Sequence, residues 1–388
     1  MEAIEKHLSK LEVLKHNYIS EGGIENLLNH RYNGVDLSIV SKYVLQPFWN
    51  WIVYDKKLSP QIAPNLITTT GFLCVLLSYL VLFISCPSMD PEGQNFLFRP
   101  AVFLCGICLF AYQTLDGIDG IQARKTKNGS PLGALFDHGI DALVNGFVAV
   151  QTITAMGITG LGAYFLYVCL MFGFIASTWE EYHTHVLYLG KISGPVEGIL
   201  GIIFAYFFIA LIGSGFFAGG FRHAIIYIFG LVGTAFYIRG SFDRIKTSLV
   251  AHNTYSSAEA KRIFLQLAPF AVLAGTGFLW GIINPTMMQN WPRMLMFTVG
   301  QALVILICRM IICSITKEEL ILWHPLHGVI IGAMLVDCFR VFPSFLVLCV
   351  AMLVAWGYYF HYVINLVVQL KNVLGIKVFK VKPVIHNE

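Results

Sequence analysis

The chain has 388 residues, of which 56% are hydrophobic and only 12% charged, with a mean hydropathy of +0.69. So much apolar surface exceeds what the core of a soluble domain requires and points to a membrane-embedded chain. The net charge of +4 is spread as membrane topology demands and forms no patch for a nucleic-acid partner.

Residues 1–62 mix charge with spaced apolar positions and lack the basic start and apolar core of a cleavable signal peptide, which predicts a cytosolic segment. Within it SIVSKYVLQPFWNWIVYDKKL reads as an amphipathic helix lying on the membrane, with Phe48, Trp49 and Trp51 at the headgroup boundary. The competing reading is a soluble helix packed on the cytosolic loops. From residue 63 onward about ten apolar runs are long enough to cross a bilayer: 63–85, 100–124, 132–157, 161–189, 195–217, 223–242, 263–284, 292–316, 325–341 and 343–370. None alternates apolar and polar residues in the manner of barrel strands, so the expected fold is all-α and polytopic. Residues 63–220 are read as one helical unit holding the unusual acids, 221–370 as further membrane helices, and 371–388 as a tail.

An even number of spans leaves both termini on one side. That side carries most of the 26 basic residues, whereas the opposite connections hold chiefly Arg99, Arg222, Arg293 and Arg340. The bias places both termini in the cytosol. The nine cysteines fall mainly inside spans, and the CxxC spacing of Cys105 and Cys108 is read as helix packing rather than metal or disulfide chemistry. His183 and His185, like His324 and His327, have no partner ligands at suitable spacing for a metal.

Four aspartates break the apolar pattern. Asp116 lies roughly 24 Å along a helix from Pro100, inside a hydrocarbon core about 30 Å thick, and Asp119 follows one turn later. The chain exits at Arg124, Lys125 and Lys127, then Asp137 and Asp141 re-enter at the same level. Pairs at i,i+3 and i,i+4 share a helix face, so two antiparallel helices joined by a short loop bring all four carboxylates together. Ionised and unpaired, they would repel strongly at low dielectric. One or two divalent cations with oxygen ligands, Mg²⁺ or Mn²⁺, answer that problem best. Gly117 and Gly120, poor choices for helix stability, are expected to open a gap through which a ligand approaches the backbone; close helix packing is the competing account.

Asp116, Asp119, Gly120, Ala123, Arg124, Gly133, Asp137 and Asp141 match the pattern DxxDGxxARx8GxxxDxxxD with every spacing kept, and the chain thereby resembles the CDP-alcohol phosphotransferase family. The stretches APNLIT, SPLGALFDHGID, STWEEYHTHVLYL and SGPVEG extend the likeness to the eukaryotic, fungal-type choline and ethanolamine phosphotransferases. Ala134 departs from many of those relatives, which carry Glu there. The resemblance weakens beyond about residue 220, where it is more topological than sequence-borne.

The resemblance implies transfer of a phospho-alcohol from CDP-choline or CDP-ethanolamine to diacylglycerol, with release of CMP, by a homodimer in the endoplasmic reticulum or Golgi membrane. It assigns the metal ions, two of them, to Asp116, Asp119, Asp137 and Asp141. The last aspartate is the usual base of the family, but a metal-bound carboxylate has lowered proton affinity; His138, i,i+3 from Asp141, is preferred here. Asn65 is expected to donate to the diphosphate or cytidine, Arg124 to hold phosphate, and Trp179 with Glu180 to form a pocket for the ammonium group, the alternative being an aromatic belt. Glu197, behind Pro195, has a sufficient role at a helix start. The competing function is a cation or proton transporter with an intramembrane acidic site, although no second copy of the motif appears in the other half of the chain.

Overall fold

The computed structural model describes residues 16–29, 34–90, 96–190, 195–217 and 219–381. Residues 1–15 of the expected cytosolic segment, Lys191, the start of SGPVEG and the end of the tail lie outside them. The helices are α1 (Glu21–Leu28), α2 (41–55), α3 (Pro64–Ser85), α4 (Phe98–Lys125), α5 (Pro131–Met156), α6 (Gly160–Thr184) and α7 (Pro195–Ile212). They continue as α8 (Gly220–Ala251), α9 (Ser257–Leu265), α10 (Ala268–Ile283), α11 (Pro285–Asn290), α12 (Pro292–Thr316), α13 (Pro325–Cys338) and α14 (Ser344–Leu374). Strands β1 (Gly34–Asp36) and β2 (Leu187–Leu189) pair in parallel and tie the N-terminal segment to the chain leaving α6.

Proline opens and glycine closes many of these helices. Pro64, Pro131, Pro292 and Pro325 stand in the first turn, where a missing N–H breaks no helical bond. Gly157 and Gly375 end α5 and α14 in the left-handed region, with φ of 70° and 60°. Among the described residues, eight helical segments are long and apolar enough to cross a membrane, and α7 and α13 are shorter apolar helices. All ten expected runs are therefore helices. The fourth ends at Thr184 rather than 189, because His185 takes a left-handed conformation and the chain then extends into β2.

Two packed clusters share α5. On one side Val144, Phe147 and Val148 meet α3, α4 and α7 through Val75, Leu109 and Tyr206. On the other, Leu135, Ala142 and Val150 join the larger core around α12. In α12, 89% of the apolar window is buried within the protein, against 6% in α8, so α12 is the central post and α8 a peripheral helix. Asp137 and Asp141 thus lie on the helix at the seam of the two clusters, and Asp116 and Asp119 on α4, which packs in one of them.

Helix α2 corrects one expectation. Its α-turn Gln46–Asn50 lies between two π-helical turns, Ser41–Leu45 and Trp51–Asp55. Tyr43, Val44, Trp51 and Tyr54 are exposed, but Leu45, Trp49 and Val53 are buried against Ile67, Ile118 and Ile121. Trp49 is accordingly a packing residue rather than a headgroup anchor. Lys125 Nζ donates to the carbonyls of Val53 and Leu58, at 2.7 and 2.9 Å, and fastens α2 to the end of α4. The nine cysteines are all free, and His324 and His327 cap the start of α13 reciprocally.

Candidate active site

Helix α4 ends at Lys125 and α5 begins at Pro131, with Ser130 capping it by accepting the N–H of Gly133. That tight return sets Asp116 and Asp119 against Asp137 and Asp141. One carboxylate oxygen from each of Asp116, Asp119 and Asp137 lies within 4.8 Å of the others. Asp116 also contacts the carboxyl of Asp141. At such separations each ionised pair repels by roughly 3 kcal/mol even at an effective dielectric of 20, and the group is one that could hold a metal ion.

The surrounding side chains orient the acids without neutralising them. The Thr68 hydroxyl, on α3, donates to Asp119 Oδ2, and the Tyr112 hydroxyl, one turn before Asp116, donates to Asp141 Oδ1. Asp119 is 5% exposed. Asp137 Oδ1 is buried and has no hydrogen-bond partner, a costly state for a carboxylate oxygen unless another ligand claims it. Hard oxygen donors converging on one point, with a lone pair left over, fit a divalent cation. Neither Thr68 nor Tyr112 was singled out from sequence; Tyr112 has a legible signal in its one-turn spacing from Asp116, whereas only the packing of α3 brings Thr68 in.

His138 lies between Asp137 and Asp141 in sequence and within electrostatic reach of Asp141 and of Glu181 on α6. Arg124 is exposed at the end of α4, its Nη1 3.6 Å from where a Cβ on Gly120 would lie, and it is within electrostatic reach of Asp119. Gly120 is otherwise open. Asn65 stands beside Gly133 and its amide donates to the carbonyl of Val378 at 2.9 Å.

Three residues marked from the sequence have protein neighbours in the structure that the sequence reading did not give them. The space over Gly117 is filled by the indole of Trp49, 2.3 Å from where a Cβ would be, so this gap admits a side chain of the protein and not a ligand. Trp179 is fully buried and its Nε1 donates to Gln266 Oε1 at 3.3 Å. Glu180 is 3% exposed and accepts a two-pronged ion pair from Arg244, at 2.5 and 2.7 Å. These two residues brace α6 against α8 and against Gln266, the residue that follows α9; Glu181 is the member of the WEEY stretch within electrostatic reach of His138. Glu197 accepts from the Ser38 hydroxyl at 2.5 Å, which adds a tie to the N-terminal segment to its place at a helix start.

The family model described as CDP-alcohol phosphatidyltransferase matches residues 61–236, which hold all of these acids. A choline/ethanolaminephosphotransferase 1 of Arabidopsis thaliana is 33% identical over 317 residues, spanning 78% of this chain and 79% of the plant protein. The choline/ethanolaminephosphotransferase 1 of Saccharomyces cerevisiae is 30% identical over 324 residues, 78% of this chain and 80% of its own. The mouse ethanolaminephosphotransferase 1 is 30% identical over 325 residues, with 78% and 79% covered. These likenesses run well past the aspartate helices into the second half, and they favour transferase chemistry over ion transport for the buried acids. With the motif folded into one carboxylate cluster and the likeness sustained over most of its length, the chain belongs to the CDP-alcohol phosphatidyltransferase family, as a membrane-embedded transferase of phospholipid synthesis.

Proposed function

We propose that this protein transfers phosphocholine or phosphoethanolamine from the CDP-alcohol to diacylglycerol, giving phosphatidylcholine or phosphatidylethanolamine and CMP. The observation that carries the reading is the convergence of Asp116, Asp119 and Asp137, with Asp141 against Asp116, at the end of a membrane helix pair that opens toward basic residues. Asp116, Asp119, Asp137 and Asp141 hold two Mg²⁺ or Mn²⁺ ions in this reading. Bound there, the ions would neutralise charge on the diphosphate and on the departing CMP. Arg124, above the open face of Gly120, meets a phosphate from the aqueous side.

The hydroxyl oxygen of diacylglycerol forms the new bond to the phosphorus bearing the alcohol, and the bond from that phosphorus to the CMP oxygen breaks. His138 takes the hydroxyl proton, with Glu181 of α6 within electrostatic reach of it. Asp141, already committed to Tyr112 and Asp116, is the alternative base and the weaker one. The nucleotide reaches the site from the cytosol and the lipid from the bilayer of the endoplasmic reticulum or Golgi, where the enzyme works as a homodimer with both termini cytosolic.

Purified protein in detergent micelles containing diacylglycerol is expected to release CMP from CDP-choline or CDP-ethanolamine, to stop on chelation, and to resume when Mg²⁺ or Mn²⁺ is restored. Absence of CMP release with either nucleotide overturns the reading. His138→Ala should bind CDP-alcohol normally yet turn over about 10² to 10⁴-fold more slowly; normal turnover there, with loss in Asp141→Asn alone, moves the base to Asp141.

A further inference from the structure

The chain leaving α14 turns back onto the start of α3 and the connection between α4 and α5, next to the aspartate helices. Gly375, in the left-handed region, makes the turn, and the N–H of Ile376 reaches the Lys371 carbonyl at 3.3 Å. The strap that follows, residues 376–380, lies on the beginning of α3 and the connection between α4 and α5. Val378 is 9% exposed and its carbonyl accepts from Asn65; the Phe379 ring stands edge-on to Phe136 at 5.8 Å.

Beneath the strap is a cavity of about 40 Å³ whose polar lining comes from Asn65, Lys127, Asn128, Ser130, Lys377 and Lys380. Three of its lining residues are lysines and none is acidic. Lys127 is held in position by a left-handed backbone, φ 54°, at the end of α4. The cavity lies close to the acids: Asn65 is one helical turn from Thr68, which bonds Asp119, and Gly133, beside Asn65, is one turn from Asp137. A space of that size holds only a few waters, at roughly 10–15 Å³ each. A nucleotide cannot enter while the strap is seated, yet the lysines surround a volume suited to a phosphate group.

We propose that residues 376–380 are a lysine-bearing lid that lifts to admit the nucleotide and reseats with Lys377 and Lys380, beside Lys127, against its phosphate groups. The identity of the ligand as a CDP-alcohol rests on the transferase reading above. The chemistry recognised is a phosphate, and the other source of one at this level is the headgroup of an anionic lipid. Ammonium donors on a hinged segment suit an anion that must both arrive and leave, because each contact is charge-assisted but independently solvated once the strap opens.

The test uses the full-length protein in neutral detergent micelles, with and without added phosphatidic acid. In Lys377→Ala/Lys380→Ala, the Kd of radiolabelled CDP-choline by equilibrium binding and its KM should each rise about tenfold, the KM for diacylglycerol staying unchanged. Inorganic pyrophosphate should compete for binding in the wild type and less well in the variant. Ending the chain after Gly375 should reproduce the loss and speed nucleotide release. Thermal melting separates these effects from unfolding, and the double variant carries the decision, since Lys377 and Lys380 are exposed whereas ending the chain after Gly375 also removes the buried Val378 and the Phe379 contact. Unchanged nucleotide and pyrophosphate affinity in the double variant overturns the lid, including where only stimulation by phosphatidic acid is lost, which would give the lysines to a lipid headgroup. Wild-type binding of CDP-choline without transfer to diacylglycerol would overturn the transferase reading and leave the lid standing.

Discussion

Gly117 and Thr68 show how single residues shape the site from outside it. Trp49 occupies the place a side chain at 117 would need, and α2 reaches α4 only because that place is empty. Gly117→Ala should therefore destabilise the protein by about 1–3 kcal/mol, the usual cost of overfilling a packed contact, read as a lower melting temperature that Trp49→Leu in the same chain partly restores. Thr68 touches no substrate in the proposed reaction but fixes one oxygen of Asp119. Thr68→Val should raise the Mg²⁺ concentration needed for half-maximal CMP release by about 10- to 100-fold, as loss of an orienting partner commonly does, while the rate at saturating Mg²⁺ changes far less. An unchanged Mg²⁺ requirement would remove Thr68 from the metal centre.

At the scale of elements, the ends of helices decide where charge goes. Arg99 donates to the Leu211 carbonyl at the end of α7, Arg222 to Gly215 and Phe216, and Arg293 to Cys86 and Pro87 beyond α3. Three of the four arginines counted on the less basic side thus satisfy helix-terminal carbonyls, which explains why cations occur there at all. The Glu180 and Arg244 pair works similarly between α6 and α8. Arg244 is 40% exposed while Glu180 is 3% exposed, so Arg244→Met strands a buried carboxylate. The expected loss is about 2 kcal/mol of stability, with the KM for CDP-alcohol unchanged in Glu180→Gln and Trp179→Phe. A shift in the choline to ethanolamine ratio in either variant would return these residues to the alcohol pocket.

Across the whole molecule, the two ends of the chain are joined on one face. The N–H groups of Tyr18 and Ile19 donate to Gln369 Oε1, whose own amide donates to the Ile19 carbonyl, and the N–H of Ser20 reaches Glu318. A cysteine introduced at residue 21 and one at residue 372 should consequently react with an impermeant maleimide from the same side of sealed vesicles, and that side should be the outside of microsomes if both termini are cytosolic. Labelling from opposite faces would overturn the even number of crossings. Gln369→Ala removes the clasp and should expose residues 16–20 to protease without loss of the central core around α12.

The sequence by itself determined the membrane class, the ten apolar helices and the four acids on two facing helices, because hydropathy, proline and glycine punctuation and i,i+3 or i,i+4 spacing are local properties. It also marked Arg124 and His138 as neighbours of the acids, through short-range motifs whose geometry follows from one helix hairpin, whereas Asn65, on α3, was marked only by the likeness of APNLIT. It could not determine which side chains fill the gaps between helices. Gly117 reads as an opening until α2, 68 residues earlier, delivers Trp49 into it, and Glu180 reads as a free acid until α8 delivers Arg244. The strap over Asn65 comes from 313 residues away, beyond the reach of any local pattern. Such partners are chosen by the packing of surfaces distant in sequence, where a residue's type states what it can bond but not which neighbour will claim it first.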